Sequence, residues 1–556
     1  MKDHIVYGNV HCIADKETDL YTQLTNASQA ATPWAHMAYY GKYVSYFLAG
    51  CVFLATMKHF LFTNYSVDRK HGGSASIWEK AVGWSRFVVY RQIPTNICRY
   101  LGLPSSVGSL LIVAAVSLYS MLFCFVPHPL YRACLGFGSP PMAVRAGLIS
   151  MAFTPYIFIM SGKTNLIGFL TGISYEKLNK YHQLSSVLCL FFAWVHTLPY
   201  YIQSYREGGT HGVRLEMNSH LIYYTGIPPI VLLTLLWMCS WQFMRDRWYQ
   251  FFISFHWLLA VCFYISLFYH VYNELQGHWY LVATIIVWGG QLLYRWFVKG
   301  YLRPGRVMKQ VPAELVTHEL LGRKSVQLQV DLPLECAPGQ HIFLRTLDQT
   351  FMQSHPFSVI PNKHGFKLIV RVYNGFTKHL FEKASSSKQI LVLVDGPYGG
   401  LARDPASFSN IYLVCSGSGI TTCMPFIMRY LRHLDNPSAT VSQIRLDWIV
   451  KQVEDVFWVE AELNQIYLSE KKPSGLEINV YCANPSEIKP LLGPRYHFFK
   501  PCPDEILKSY TLGSTNCIVC SGSETLKKQV ANGSAALQSN IGKVREIYLH
   551  TEEFGL

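Results

Sequence analysis

Apolar residues gather in long runs over the first 300 positions, then give way to short alternating stretches separated by glycine and proline. A helix needs about 20 apolar residues to cross a bilayer. Seven stretches approach that length: 38–62, 107–127, 142–160, 183–204, 221–241, 251–272 and 279–297. The third is the weakest, because Pro155 interrupts it and Arg145 lies near its start. The fifth carries Pro228 and Pro229, which a packed membrane helix tolerates. From about residue 305 the pattern predicts strands at Ser325–Val330, Ile342–Leu344, Leu368–Tyr373 and Ile390–Val394, as in a small barrel. From about residue 408 it predicts strand, turn and helix: Asn410–Cys415, Gly417–Gly419, then a helical run through Leu434. Further strands near Ile444–Lys451, Leu476–Cys482 and Cys517–Cys520 complete a parallel nucleotide-binding sheet.

Composition agrees with an apolar membrane half joined to a soluble half. Hydrophobic residues are 50% and charged residues 15% of the 556, against about 25% charged in ordinary soluble domains. The net charge of +14 does not point to nucleic acid, because many basic residues sit in short loops between apolar runs. Those loops orient the chain. Arg69, Lys70, Lys80, Arg86, Arg91 and Arg99 follow the first span; Arg245 and Arg247 follow the fifth; Arg295, Lys299, Arg303 and Arg306 follow the seventh. All share one side if the N-terminus is outside and everything after residue 298 is cytosolic. The sequon Asn26-Ala-Ser28 then lies outside, and Asn64-Tyr-Ser66 lies inside. The first 38 residues are mixed and polar, so no cleavable leader is expected. The 15 cysteines are scattered, and neither a zinc set nor a disulfide framework is expected.

Four histidines carry the chemistry of the membrane half. His182 and His196 lie in the fourth span, His256 and His270 in the sixth. Fourteen helical steps end about 40° from the start and rise about 21 Å, so each pair shares one helix face at two depths. Spacing alone is not evidence: His341 and His355 repeat it in a strand-rich segment. Apolar helices with matching partners are, because a buried membrane histidine is expensive. Spans four and six run the same way, so His182 is expected to meet His256 on the cytosolic side, and His196 to meet His270 on the outer side. Two bis-histidine sites for b-type haem follow. Zinc or copper is disfavoured, since no carboxylate or thiol converges with them.

Arg99-Tyr-Leu-Gly-Leu-Pro-Ser105, the histidine pairs and a series of downstream motifs make residues 100–556 resemble the fungal ferric reductase branch of the ferric reductase/NADPH oxidase superfamily. The resemblance implies a multidomain protein. A tail at 1–37 precedes a haem-binding α-helical membrane bundle of about seven spans at 38–298. A ferredoxin-reductase-like FAD barrel at 305–402 and an α/β NADPH-binding domain at 405–556 follow. It assigns FAD to His355, Pro356, Phe357 and Ser358, with Arg371, Gly375 and Thr377 on the pyrophosphate; Pro338-Gly-Gln-His341 resembles the strand entry of such barrels. It assigns NADPH to Gly396 in Gly-Pro-Tyr-Gly-Gly, to Gly417, Gly419 and Thr421 in the turn, to Lys451 at the 2′-phosphate and to Cys520 beside the nicotinamide. Ser416 stands where the family has a glycine, and Cys520-Ser-Gly-Ser523 replaces a Cys-Gly-Pro motif. Phe554 resembles the terminal aromatic residue that covers the flavin.

The implied activity is NADPH-dependent reduction of an extracellular ferric or cupric chelate through FAD and two b haems, at the cell membrane. An iron or copper uptake permease is the implied partner. A superoxide-generating NADPH oxidase is the alternative, since it uses the same cofactors. A heptahelical receptor or transporter leaves the flavin motifs and paired histidines unexplained. In the expected outer loops His128, Arg132, Arg206, His211 and Arg214 are placed to attract anionic chelates.

Overall fold

The computed structural model describes residues 4–7, 10–13, 19–63, 76–94, 98, 102–272, 274–320, 323–348, 353–436, 438–468, 474–484, 491, 493–542 and 544–552. Arg69, Lys70, Arg99, the sequon at Asn64 and Phe554 lie outside them. The chain forms two compact units: residues 1–56, 111–171 and 177–292 make the first, and residues 57–110, 172–176 and 293–556 make the second.

The first unit opens with an antiparallel hairpin, β1 (His4–Tyr7) and β2 (Val10–Ile13), and helix α1 (Asp19–Ala31). Among the described residues, seven helices are long and apolar enough to span a membrane. The first is α2 (Ala38–Thr63); α3 (Ile77–Val89) follows it, and belongs to the second unit. The next spans are α4 (Val107–Phe125) and α5 (Pro141–Met160). A short α6 (Leu166–Thr171) leads to α7 (Tyr175–Ser219). The fifth span divides at Gly226 into α8 (Leu221–Thr225) and α9 (Ile227–Cys239), and α10 (Gln242–Val271) and α11 (His278–Tyr294) complete the set.

The sequence reading misjudged two of these. The third span is the most enclosed, with 67% of its apolar window buried. Ala143, Ala146 and Ala152, all at 0% exposure, let neighbouring backbones close in. Arg145 is accommodated rather than disruptive: its guanidinium donates to the carbonyls of Cys124 (3.3 Å) and Pro127 (2.7 Å) and lies over the Tyr40 ring. Pro155 sits inside an unbroken helix. The fourth span continues into the expected outer loop and breaks at Gly209, where φ is +58°. Beyond it the chain doubles back: Tyr201 donates to Met217 Sδ at 3.7 Å, and a Cβ on Gly212 would stand 2.7 Å from the Ser204 carbonyl. The outer segment is thus a helical arm, not an open loop. Pro228 and Pro229 fall in the first turn of α9, where a missing N–H costs nothing.

In the second unit, β3 (Val311–Leu320), β4 (Arg323–Val330), β5 (Gln340–Thr346), β6 (His355–Ser358), β7 (Ile360–Pro361), β8 (Phe366–Arg371) and β9 (Gln389–Gly399) form one antiparallel sheet. Its order is β6-β5-β9-β3-β4-β8-β7, and α12 (Phe376–Ser386) packs against it. The second sheet is wholly parallel. Its strands are β10 (Asn410–Ser416), β11 (Gln443–Gln452), β12 (Leu476–Asn484), β13 (Arg495–His497), β14 (Thr515–Ser521) and β15 (Glu546–Thr551). The order β13-β12-β11-β10-β14-β15 reverses direction between β10 and β14. That reversal opens a crevice at the carboxyl end of β10, the usual ligand position in such sheets. Helix α13 (Ile420–Leu434) starts there, and α14 (Glu460–Tyr467), α15 (Pro503–Lys508) and α16 (Glu524–Leu537) cover the faces.

Candidate functional site

Helices α7 and α10 bring the four histidines together in two pairs. The ring centroids of His182 and His256 are 6.4 Å apart, and those of His196 and His270 are 6.3 Å apart. A metal–imidazole bond of about 2 Å plus about 1.1 Å from nitrogen to ring centre, counted on both sides, gives roughly 6.3 Å. Each pair therefore leaves room for one metal ion between its two rings.

The remaining ring nitrogens are all occupied. His182 Nδ1 meets the Ile157 carbonyl and His196 Nδ1 the Ala143 carbonyl, each at 2.9 Å. A carbonyl only accepts, so both rings carry their proton on Nδ1. His256 Nδ1 meets Ser240 Oγ at 3.1 Å, and His270 Nδ1 meets Thr225 Oγ1 at 3.2 Å. Those hydroxyls already donate to the Leu236 and Ile222 carbonyls, so they too accept. All four rings thus keep Nε2 as the nitrogen available to a metal, with Nδ1 anchored as metal-binding histidines require. Glycine backs two of the rings: a Cβ at Gly147 would stand 2.6 Å from His196 Nδ1, and one at Gly226 3.0 Å from His270 Cε1. An apolar cavity beside the outer pair is lined by Tyr200, Tyr223, Phe263 and Leu267 among others. Among the described residues no cluster of three or more His, Cys, Asp or Glu can hold a bare metal ion. A macrocycle that supplies its own equatorial donors fits these pairs.

The second unit holds the other predicted residues. In β6, Pro356 lies opposite Phe343 and Phe357 opposite Ile342 of β5. His355 stacks on Phe376 with 4.4 Å between centroids. Gly375, at φ +68°, caps α12, and a Cβ there would meet nothing within 4 Å. Thr377 Oγ1 accepts from Tyr373 N–H at 2.8 Å, and the Arg371 guanidinium lies over the Tyr373 ring. An open helix N-terminus beside an arginine is a ready phosphate site. Ser358 is buried, with its hydroxyl 3.2 Å from Thr422 Oγ1, which accepts from Ser521 Oγ at 3.2 Å. This hydroxyl chain joins the two sheets, and the sequence reading missed it.

At the crevice, Gly417 has φ +52° and open space where a Cβ would be. Its carbonyl accepts from Trp448 Nε1 at 2.9 Å, and Thr421 donates to the Ser418 carbonyl at 2.9 Å. Gly419 is needed for a different reason: a Cβ would stand 2.6 Å from the Ser521 carbonyl. Lys451 is exposed near the carboxyl end of β11. Gly396, at φ +146°, lies within β9 against Ile342. Cys520 is fully buried, and burial pushes its thiol well above the ordinary range. It is spaced CxxC with Cys517, a pattern the sequence reading passed over. Both lie on β14, three residues apart, so they face opposite sides of the sheet. Glu552 N–H donates to the Cys520 carbonyl at 3.0 Å, which brings the chain end past this thiol.

Two expectations about the outer end need correction. Arg132 is 7% exposed and donates to the carbonyls of Ser28, Thr32 and Ser139, which leaves it no part in attracting chelates. Cys134 is disulfide-bonded, although the scattered cysteines gave no sign of it.

Comparison with known proteins places three family models along the chain. "Ferric reductase like transmembrane component" matches residues 146–267, "FAD-binding domain" residues 310–402, and "Ferric reductase NAD binding domain" residues 408–491. Ferric/cupric reductase transmembrane component 7 of Saccharomyces cerevisiae is 40% identical over 100% of this chain and 99% of its own length. Probable cell surface ferric reductase kap2 of Aspergillus oryzae is 30% identical over 72% of this chain and 56% of its own. Ferric reductase transmembrane component 6 of Saccharomyces cerevisiae is 21% identical over 74% of this chain and 60% of its own.

Proposed function

The chain belongs to the ferric reductase family, and from that premise we propose that it reduces chelated Fe³⁺ or Cu²⁺ outside the membrane with electrons from cytosolic NADPH. One NADPH reduces two Fe³⁺ to two Fe²⁺ and releases one proton. The single observation that carries the reading is the two histidine pairs, each of which would hold one haem iron, in a chain that also carries FAD- and NAD-binding domains.

Bound FAD takes a hydride and gives up electrons singly, and bound b haem passes single electrons. The chain's own residues hold and tune these groups. His182 with His256 and His196 with His270 offer Nε2 to iron, and their Nδ1 protons fix the rings. Arg371, Gly375 and Thr377 receive the pyrophosphate, and Ser358 presents its hydroxyl to the flavin at the head of the Thr422–Ser521 chain. Gly417, Gly419 and Thr421 bring backbone N–H groups to the dinucleotide phosphates. Lys451 offers a point charge to the 2′-phosphate, which favours NADPH over NADH. Cys520, neutral and buried, serves as packing beside the nicotinamide and not as a nucleophile. Phe554 lies outside the described residues, and the resemblance of the sequence assigns it the role of covering the flavin.

Sidedness rests on two facts. The segments 57–110 and 172–176, which include the connections before α4 and before α7, fold into one unit with residues 293–556, which supports a shared side of the membrane. Cys134 lies between α4 and α5, on the opposite side, and its disulfide belongs to an oxidising compartment. Both observations support cytosolic flavin and nucleotide domains and an N-terminus outside, and the reading takes an iron or copper permease as the consumer of the reduced metal. The test is NADPH-driven Fe³⁺ reduction by purified protein, with and without oxygen and superoxide dismutase. Undiminished reduction is expected under all conditions. Reduction that disappears with the dismutase would make the protein a superoxide-generating oxidase instead.

A further inference from the structure

The region between the first two spans is read from sequence as a basic loop, yet it contains α3, capped by a reciprocal Ser76–Glu79 box. One stripe of α3 grips the last strand of the nucleotide domain. Glu79 pairs with Arg545 at 3.2 Å, and Arg86 reaches Glu546 at 2.9 Å and the Ile547 carbonyl at 3.1 Å. The other stripe faces away from protein: Ile77 is 88% and Trp84 73% exposed, with Lys80 exposed beside them. Ile77 and Trp84 are seven residues apart and so within about 20° on the helix surface.

Both ends of α3 are held where the chain leaves and re-enters the apolar spans. Phe62, in the last turn of α2, stacks on Trp78 with centroids 6.5 Å apart. At the other end the Arg91 carbonyl accepts from Val107 N–H, the first residue of α4, at 2.9 Å, and Ile93 N–H donates to the Ser105 carbonyl at 2.9 Å. A helix of 13 residues covers about 20 Å. Each of its ends is thus tied to chain that continues directly into a span.

We propose that α3 is an interfacial helix whose Ile77, Lys80 and Trp84 stripe seats in the headgroup region of the adjacent leaflet, while its opposite stripe holds the terminal strand of the nucleotide domain. Tryptophan and an aliphatic side chain suit that depth, and the lysine ammonium suits anionic headgroups. The occupant of the exposed face is the bilayer, since the face is continuous with two membrane exits. The inference rests on the membrane reading of the spans and not on the redox reading.

The experiment uses full-length protein, labelled with fluorotryptophan, in nanodiscs of phosphatidylcholine and phosphatidylserine. The fluorine resonance lost in Trp84→Phe identifies Trp84 among the 13 tryptophans, and the conservative change preserves the fold. That resonance is expected to broaden strongly with lipid spin-labelled near the headgroup and little with an aqueous gadolinium chelate. Broadening by gadolinium would show a water-facing stripe, and broadening by neither would show a stripe covered by protein. Either result overturns the proposal.

Discussion

At the scale of single residues, the hydroxyls of Ser240 and Thr225 are as informative as the histidines they anchor. Ser240→Ala or Thr225→Val strands an Nδ1 proton in an apolar site and frees the ring to turn. Loss of such a partner weakens metal binding by about 10–100-fold. Transfer of haem to an excess of apomyoglobin is expected to accelerate in both variants, whereas His256→Ala and His270→Ala each purify with one haem fewer. Retention identical to wild type in all four would remove these residues from the sites. Cys520 yields a second prediction. Its thiol stays protonated, because burial raises it far above neutrality. Iodoacetamide at mild alkaline pH is expected to leave it unmodified in native protein and to label it after denaturation, as peptide mass spectrometry reads out; native labelling would mean that β14 opens. The histidines themselves were legible in the sequence, because two apolar runs repeated one spacing. Their partners were not. Backbone carbonyls at Ala143 and Ile157 have no residue signature, and a serine or threonine in a membrane helix more often bonds its own preceding turn.

Among the elements, α3 is the one whose physical picture the sequence reading missed. Lys80, Arg86 and Arg91 were counted as loop charges, and they lie on or just after a helix that folds into one unit with residues 293–556. Arg86, however, is held by Glu546 rather than facing a headgroup. The Ser76-x-x-Glu79 signature was present in the sequence and marks a helix start; the long polar stretch around it hid the short periodic run. The strands and α13 were easier, because β-branched runs punctuated by glycine leave few alternatives. The fit of α3 to the domain can be tested at Gly83, where a Cβ would stand 2.7 Å from Ile541 Cγ1. Gly83→Val gains at most a few tenths of a kcal/mol of helix propensity, and overpacking costs about 1–3 kcal/mol. Thermal unfolding of the nucleotide domain is expected to shift downward, and Ile541→Ala in the same chain to restore part of the loss. A neutral Gly83→Val would mean that α3 is not docked there.

For the whole molecule, the decisive question is which side each surface faces. Asn26 is exposed on α1, two residues from the Ser28 that meets Arg132. With the N-terminus outside, endoglycosidase is expected to shift the protein on a gel, and Asn26→Gln to abolish the shift. A native band that does not shift, together with glycosylation of a sequon inserted at 240–247, would invert the topology. A single carboxylate has a longer reach. Glu546 Oε1 accepts from both Arg86, carried by α3, and Arg403, carried by the connection between the two sheets. Three distant stretches of chain thus meet at one oxygen. Arg86→Ala and Arg403→Ala are expected to be non-additive in unfolding experiments, with a coupling of about 1–3 kcal/mol. That oxygen is thus a keystone: with either arginine gone, the buried carboxylate keeps a single cation, and the stretch that carried the lost one has no ionic tie left to the terminal strand at that point.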